Sequence, residues 1–293
     1  MGFPEFVSKV PVEKGWSGDR KFRVTARDGT EYLLRISPPE RLAECRALFA
    51  LLRQIAALNV PVCRPVDLDI HSDGIYVLYT WIDGQDAETA LPALPEQEQY
   101  ALGRRAGEIL KTIHSIPAPE TQEDWAARFN RKTDKKIKRY AVCPLHFPGD
   151  QGILNYLSSH RSLLENRPQT FQHGDYHVGN MMLRRGELVV IDFDRFDFGD
   201  PWEEFNRIVW CAQTSPAFAR GQLDGYFGGM PPAEFFSLLA FYIGSNTLSS
   251  ICWAIPFGQR EIDTMLNQAA CVLSWFDGMK NPVPSWYRSR TGI

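Results

Sequence analysis

The stretch FQHGDYHVGNMMLRRGELVVIDFDRFDFGDP, residues 171–201, sets carboxylates directly beside oily runs. Asp175, Asp192, Asp194, Asp197 and Asp200 alternate with MML and LVVIDF. Crowded carboxylates repel one another unless a cation or a shared proton sits among them. The segment therefore calls for a bend and for a positive charge. The bend is legible: MMLRRGELVVIDF reads as two short strands turning at Arg185-Gly186.

The flanking sequence divides into two parts. KFRVTA and EYLLRIS read as strands on either side of RDGT, whose Asp28-Gly29 is a strong hairpin signal. In ERLAECRALFALLRQIAAL, apolar residues at helical spacing (Leu42, Cys45, Leu48, Leu51, Leu52, Ile55) predict an amphipathic helix. VPVCRPVDLDI and IYVLYTWIDG predict a second hairpin across HSDG. Residues 1–84 thus form a small β-rich lobe with one helix. Residues 85–293 read as helical, apart from the block above, with a helical, aromatic-rich stretch to about residue 279 and a loose tail beyond it. A basic run, RFNRKTDKKIKRY at 128–140, reads most simply as a solvated helix face.

Composition narrows the class. Of 293 residues, 44% are hydrophobic and 23% charged, and the net charge of −3 gives no bias toward nucleic acid. The N-terminus lacks the layout of a signal peptide and fails the myristoylation pattern at Phe6. Apolar stretches such as FFSLLAFYIG fall short of a membrane span. The six cysteines form no CxxC pair, so we expect reduced, mostly buried thiols in a cytoplasmic protein, without a structural zinc.

The chemistry lies in the spacing. Asp175 precedes Asn180 by five positions, and Asp192 ends an apolar strand twelve residues later. A loop aspartate, an asparagine and a strand-end aspartate beyond a hairpin form a layout used for phosphoryl transfer. In-line transfer needs a carboxylate to orient the attacking hydroxyl and accept its proton. It also needs Mg²⁺, which prefers hard oxygen ligands. Asp175 then reads as the base, with Asn180 and Asp192 as metal ligands. His173 and His177 tempt a metal-pair reading, which we set aside. Asp194 and Asp197 read as solvated, and Asp200 as a carboxylate that fixes its own loop. Glu203 and Glu204 line the acceptor site or start a helix.

HGDYHVGN, VIDFD and GDP together resemble the aminoglycoside phosphotransferase family, whose relatives include choline kinases. The resemblance is specific over some 30 residues and weaker over most of the chain. It implies a protein-kinase-like α+β fold, with an N-lobe sheet bearing one helix and a helical C-lobe. It implies a covering loop at KGWSGD (Gly15, Ser17, Gly18) and a phosphate-gripping cation at Arg35, where lysine is usual. Glu44 would be the ion-pair partner of Arg35, with Glu40 as the fallback. Backbone groups of Thr80 and Ile82 would meet the adenine edge, which leaves ATP and GTP both open. The implied reaction transfers phosphate from ATP or GTP to the hydroxyl of a small molecule, with Mg²⁺.

No H-R-D motif is present and no long segment ending in A-P-E follows Asp192, which argues against a protein kinase and leaves a small-molecule acceptor. The acceptor reads as an aminoglycoside or related antibiotic, with resistance as the outcome. Alternatively it is a metabolite of the choline, amino-alcohol or sugar type. The C-lobe aromatics (Trp202, Trp210, Tyr226, Phe227, Tyr242, Trp253, Trp275) read first as core and second as a ligand platform. A non-catalytic nucleotide sensor and a metallophosphoesterase stand as other classes; the second lacks G-N-H-[DE] after Asp175. No nucleic acid or membrane partner is expected, and the chain would act as a monomer or homodimer.

Overall fold

A computed structural model describes residues 3–13 and 18–288. In chain order the elements begin with β1 (Phe6–Pro11), β2 (Arg20–Ala26), β3 (Glu31–Ser37), α1 (Leu42–Ala57), β4 (Pro65–His71), β5 (Gly74–Thr80), β6 (Gln85–Asp86) and α2 (Ala87–Ala90). Then come α3 (Glu96–Ile113), α4 (Trp125–Ala141), α5 (Asp150–Ser159), β7 (Thr170–Gln172), β8 (Met181–Arg184), β9 (Glu187–Val190) and β10 (Asp197–Gly199). The chain ends with α6 (Ile208–Thr214), α7 (Pro216–Phe227), α8 (Ala233–Ala254), α9 (Gln259–Trp275) and α10 (Ser285–Arg288). The sequence reading divides the chain by role at residue 84. Contacts divide it at Ala90, and the 180–195 segment joins the first unit.

The first unit is built on an antiparallel sheet of order β1-β2-β3-β5-β4. The β2–β3 turn forms as its residues dictate: Asp28 Oδ1 accepts from Thr30 N at 2.9 Å, and Gly29 takes φ +84°. Alternation buries Val24, Leu34, Ile36 and Leu78 on one face. Helix α1 buries Cys45, Leu48, Leu52 and Ile55, spaced three or four apart, as an amphipathic helix must. A second small sheet, β6-β8-β9, belongs to this unit. Its β8–β9 turn places Arg185 and Gly186 at φ +53° and +82°, the left-handed pair of a tight hairpin.

The second unit is helical. Helix α8 is its core element, with fifteen buried residues including Phe235, Phe241, Tyr242 and Ile251. This corrects the expectation from FFSLLAFYIG. Ala233–Phe257 is long and apolar enough to cross a membrane by length and composition, yet 72% of its apolar window is buried within the protein. Helices α3 and α7 cross through glycine. A Cβ added at Gly103, Gly107, Gly221 or Gly225 would fall closer than 3.0 Å to backbone of the facing helix. Backbone cannot yield as a side-chain tip can, so Gly107→Ala overpacks the crossing by about 1–3 kcal/mol. Alanine's better helix propensity returns at most about 1 kcal/mol. The expected result is a melting temperature lower by about 3–10 °C, read by calorimetry.

β6, β7, β10 and α10 go beyond the sequence reading. β7 and β10 pair across the catalytic block, with Phe198 opposite Phe171. β6 adds to β8, and the tail expected to be loose contains α10, where Trp286 and Tyr287 are buried.

Candidate active site

In the first unit the β8–β9 hairpin does what the spacing requires. Met181 faces Val190, and Ile191 N–H donates to Asn180 C=O at 3.0 Å, so residues 180 and 192 reach the same end of the hairpin. Strand β9 is held from its other side, where Cys63 N–H donates to Val190 C=O at 3.1 Å and Val190 N–H to Pro61 C=O at 2.9 Å. Asp192 sits at φ +64°, a left-handed conformation that aspartate and asparagine tolerate better than other side chains do. Its side chain is 40% exposed, open to a ligand.

Arg35 stands in β3, nearly buried, with its guanidinium held among carboxylates. It bonds Asp19 and Asp194, and Asp192 Oδ1 lies 3.7 Å away. The positive charge that the crowded aspartates require is thus supplied by the chain itself. Asp194 is a partner of Arg35 with little exposure, which corrects its reading as solvated. Glu44 is corrected as well: it pairs with Arg41 through two bonds of 2.7 and 2.9 Å, not with Arg35. Asp19 is the shared partner, accepting from Arg41 Nη1 at 2.9 Å while bonding Arg35. Lys21 faces Arg35 across the β2–β3 ladder, and burial followed by the Arg35 charge lowers its pKa.

The remaining nucleotide-side candidates are placed as follows. Gly15 and Ser17 lie outside the described residues, and Gly18 stands in open space. Thr80 N–H is already committed to Arg64 C=O at 2.9 Å, so it is not available as an adenine donor. Ile82 follows the end of β5, and among the described residues its backbone makes no hydrogen bond.

In the second unit the loop around Asp175 is fixed by its neighbours. Asp175 N–H donates to His173 Nδ1 at 3.2 Å, and Gly179 N–H donates to His177 Nδ1 at 3.1 Å. Ring nitrogens that accept from backbone serve loop geometry. Among the described residues no group of three His, Cys, Asp or Glu side chains is arranged to hold a metal. Tyr176, fully buried, anchors the loop from below by donating to Ala106 C=O at 2.7 Å. Arg207 Nε lies 3.1 Å from Asp175 Oδ1.

Glu204 is the residue that sequence reasoning left undecided. It is 1% exposed, and its carboxylate accepts from Gly174 N–H at 3.0 Å and from Tyr176 N–H at 3.4 Å, the amides on either side of Asp175. Burial alone would push its pKa up. His114, His173 and the Gly174 amide outweigh that and hold it below the ordinary value. His114 Nε2 is 3.8 Å away, too far for a hydrogen bond, so its effect is electrostatic. Asp200 fixes its own loop as expected. It accepts from Trp202 N–H at 3.0 Å, from Arg167 through two bonds, and from Tyr242 OH at 2.6 Å. Tyr226 and Tyr242 belong to the core, while Trp210 is only partly buried, its ring centroid 6.1 Å from that of His177.

A carboxylate on a braced loop and an asparagine–aspartate pair at a hairpin end are the residue types that phosphoryl transfer needs. The model of the phosphotransferase enzyme family matches residues 10–236, and the chain belongs to that family. Its fold is that of protein-kinase-like small-molecule kinases. A thermostable mutant of aminoglycoside phosphotransferase APH(4)-Ia superposes with a TM-score of 0.65 at 16% identity, over 92% of this chain and 94% of that one. A choline/ethanolamine kinase family protein from Mesorhizobium loti gives 0.67 at 18% identity, over 95% and 92%. Amicoumacin kinase hAmiN, solved with AMP-PNP, Ca²⁺ and Ami, gives 0.66 at 14%, over 95% and 91%. No curated protein sequence matches the chain.

Proposed function

We propose that the chain transfers the terminal phosphoryl group of ATP to a hydroxyl of a small molecule, with Mg²⁺ as cofactor and GTP as an alternative donor. The observation that carries this reading is the hairpin register that gathers Asn180 and Asp192 at one end, five residues along the chain from Asp175. The donors fit the metal: one amide oxygen and one carboxylate are hard ligands, and Mg²⁺ ordinarily completes its shell with water and phosphate oxygens. When bound, Mg²⁺ neutralises charge on the transferring group. Arg35, with Lys21 beside it, grips phosphate oxygens in place of the carboxylates that hold it in the free protein. Asp175 orients the acceptor hydroxyl and takes its proton as the new O–P bond forms and the bond from the terminal phosphorus to the bridging oxygen breaks, releasing ADP. Nucleotide-bound relatives support this assignment: APH(2'')-Ib is solved with ADP, and a thermostable mutant of APH(4)-Ia with ADP and hygromycin B.

Coupled measurement of ATP consumption over a panel of hydroxyl compounds tests the reading. Consumption that rises with one acceptor is expected; nucleotide binding without turnover over the whole panel would replace it with a sensing role. Asp192→Asn keeps the left-handed backbone and one oxygen donor but loses the charge. It should weaken Mg·ATP binding by about 10- to 100-fold, read by titration calorimetry.

A further inference from the structure

The basic run at 128–140 is not simply a solvated face. Helix α4 carries Lys132 and Lys136 one turn apart, and both ammonium groups stand over the ring of Phe129, at 5.3 and 5.8 Å from its centroid. Lys132 reaches Glu203 at 3.8 Å. Glu203 opens the 3₁₀ turn Glu203–Arg207, and that turn ends at the arginine beside Asp175. Lys136 has no carboxylate within 4.0 Å among the described residues. Its one polar neighbour is Ser245 Oγ at 3.3 Å, from the fully buried Ser245 of α8. The single carboxylate of α8, Glu234, lies 3.8 Å from Arg167, and Asp134 of α4 pairs with Arg161 at 2.7 Å.

The local charge is therefore unbalanced. Lys132, Lys136 and Arg207 supply three cations; Glu203 and Asp175 supply two carboxylates, each already facing one of those cations. The Nε of Arg207 is buried and, despite its closeness to Asp175, completes no hydrogen bond. Burial, then repulsion from Lys132, brings the Lys136 pKa down to about 7, with Arg207 lowering it further and Glu203 opposing. A half-buried amine among other cations lacks a counter-ion, and a cationic acceptor would add to the repulsion.

We infer that the acceptor is a hydroxyl compound bearing an anionic oxygen group, a carboxylate or a phosphate ester, which Lys136 receives with Lys132 and Arg207 beside it while the hydroxyl meets Asp175. This rests on Asp175 marking the acceptor side of the reaction. An anion at Lys136 favours the protonated amine, so the acceptor binds more tightly below pH 7 and more weakly above it.

The test compares glycerate and glycerol 3-phosphate with glycerol, ethanolamine and an aminoglycoside as acceptors for the full chain with Mg·ATP. One or both anionic compounds should give the highest kcat/KM, and the better of the two identifies the anion's source. Lys136→Met should raise the KM for that compound about 10- to 100-fold, and Lys136→Arg should restore it. A neutral or cationic acceptor that matches or exceeds the anionic ones overturns the inference and leaves the phosphotransferase reading intact. Thermal protection by inorganic phosphate without nucleotide supplies a readout independent of turnover. It should be larger below pH 7 than above and should fall in Lys136→Met to what Arg35 and Lys21 alone supply. Protection that is absent, or that is unchanged in the variant, overturns the anion site. Protection that depends on Lys136 while no acceptor is phosphorylated keeps the anion site and rejects the transfer reaction.

Discussion

Asp175→Asn should lower kcat by about 10²- to 10⁴-fold, the range that a positioned general base contributes. Nucleotide affinity should stay nearly unchanged, because in the proposed role Asp175 addresses the acceptor hydroxyl rather than the triphosphate. The substitution preserves shape, and the loop is held by backbone bonds that it leaves alone: Asp175 N–H to His173, and the flanking amides to Glu204. A loss of turnover therefore reports on chemistry rather than collapse. Stopped-flow turnover beside calorimetric nucleotide binding separates the two quantities. Wild-type kcat in the variant would remove Asp175 from the reaction altogether.

Glu204→Gln should cost both stability and turnover. The carboxylate is buried and satisfies two backbone amides; removing its charge weakens both bonds and leaves His114 and His173 facing a neutral group. Breaking one side of such a buried arrangement costs about 3–5 kcal/mol. Its pH signature follows from the direction of the shift. The folded pKa lies below the ordinary value of 4.5, so the contribution is fully present above pH 4.5 and fades as pH falls through the lowered folded pKa. Acid titration of the melting temperature should accordingly be shallower below pH 4.5 in Glu204→Gln than in the wild type. With Asp175 in its proposed role, turnover should drop because its loop loses its bracing, while KM for the nucleotide changes little. Identical acid limbs in the two proteins would show that Glu204 acts by packing alone.

What could be read in the sequence depended on how local the cause was. Asp28-Gly29 and Arg185-Gly186 announce their turns because the left-handed backbone is a property of the residues themselves. The α1 stripe and the β2–β3 alternation are equally local. The pairings of β7 with β10 and of β6 with β8 were hidden, since two- and three-residue strands have no periodicity and exist only by their partners. The same holds at the site. Asp175, Asn180 and Asp192 stand in one short motif. Asp19, Lys21 and Arg207 act through neighbours 16, 14 and 32 positions away, namely Arg35, Arg35 and Asp175. For Glu44, position alone favours Arg41, three residues earlier, as much as Arg35, and Arg41 is where the salt bridge forms.

The α3–α7 crossing has a consequence for how this enzyme can diversify. Where two main chains touch, no side-chain atom remains to be exchanged, so substitution at Gly103, Gly107, Gly221 or Gly225 costs stability whatever the acceptor. That pair of helices is a fixed pedestal. On the acceptor site inferred above, new preferences would be written on α4, α8 and the Glu203–Arg207 turn, whose contacts are made by side chains and can be rewritten one residue at a time.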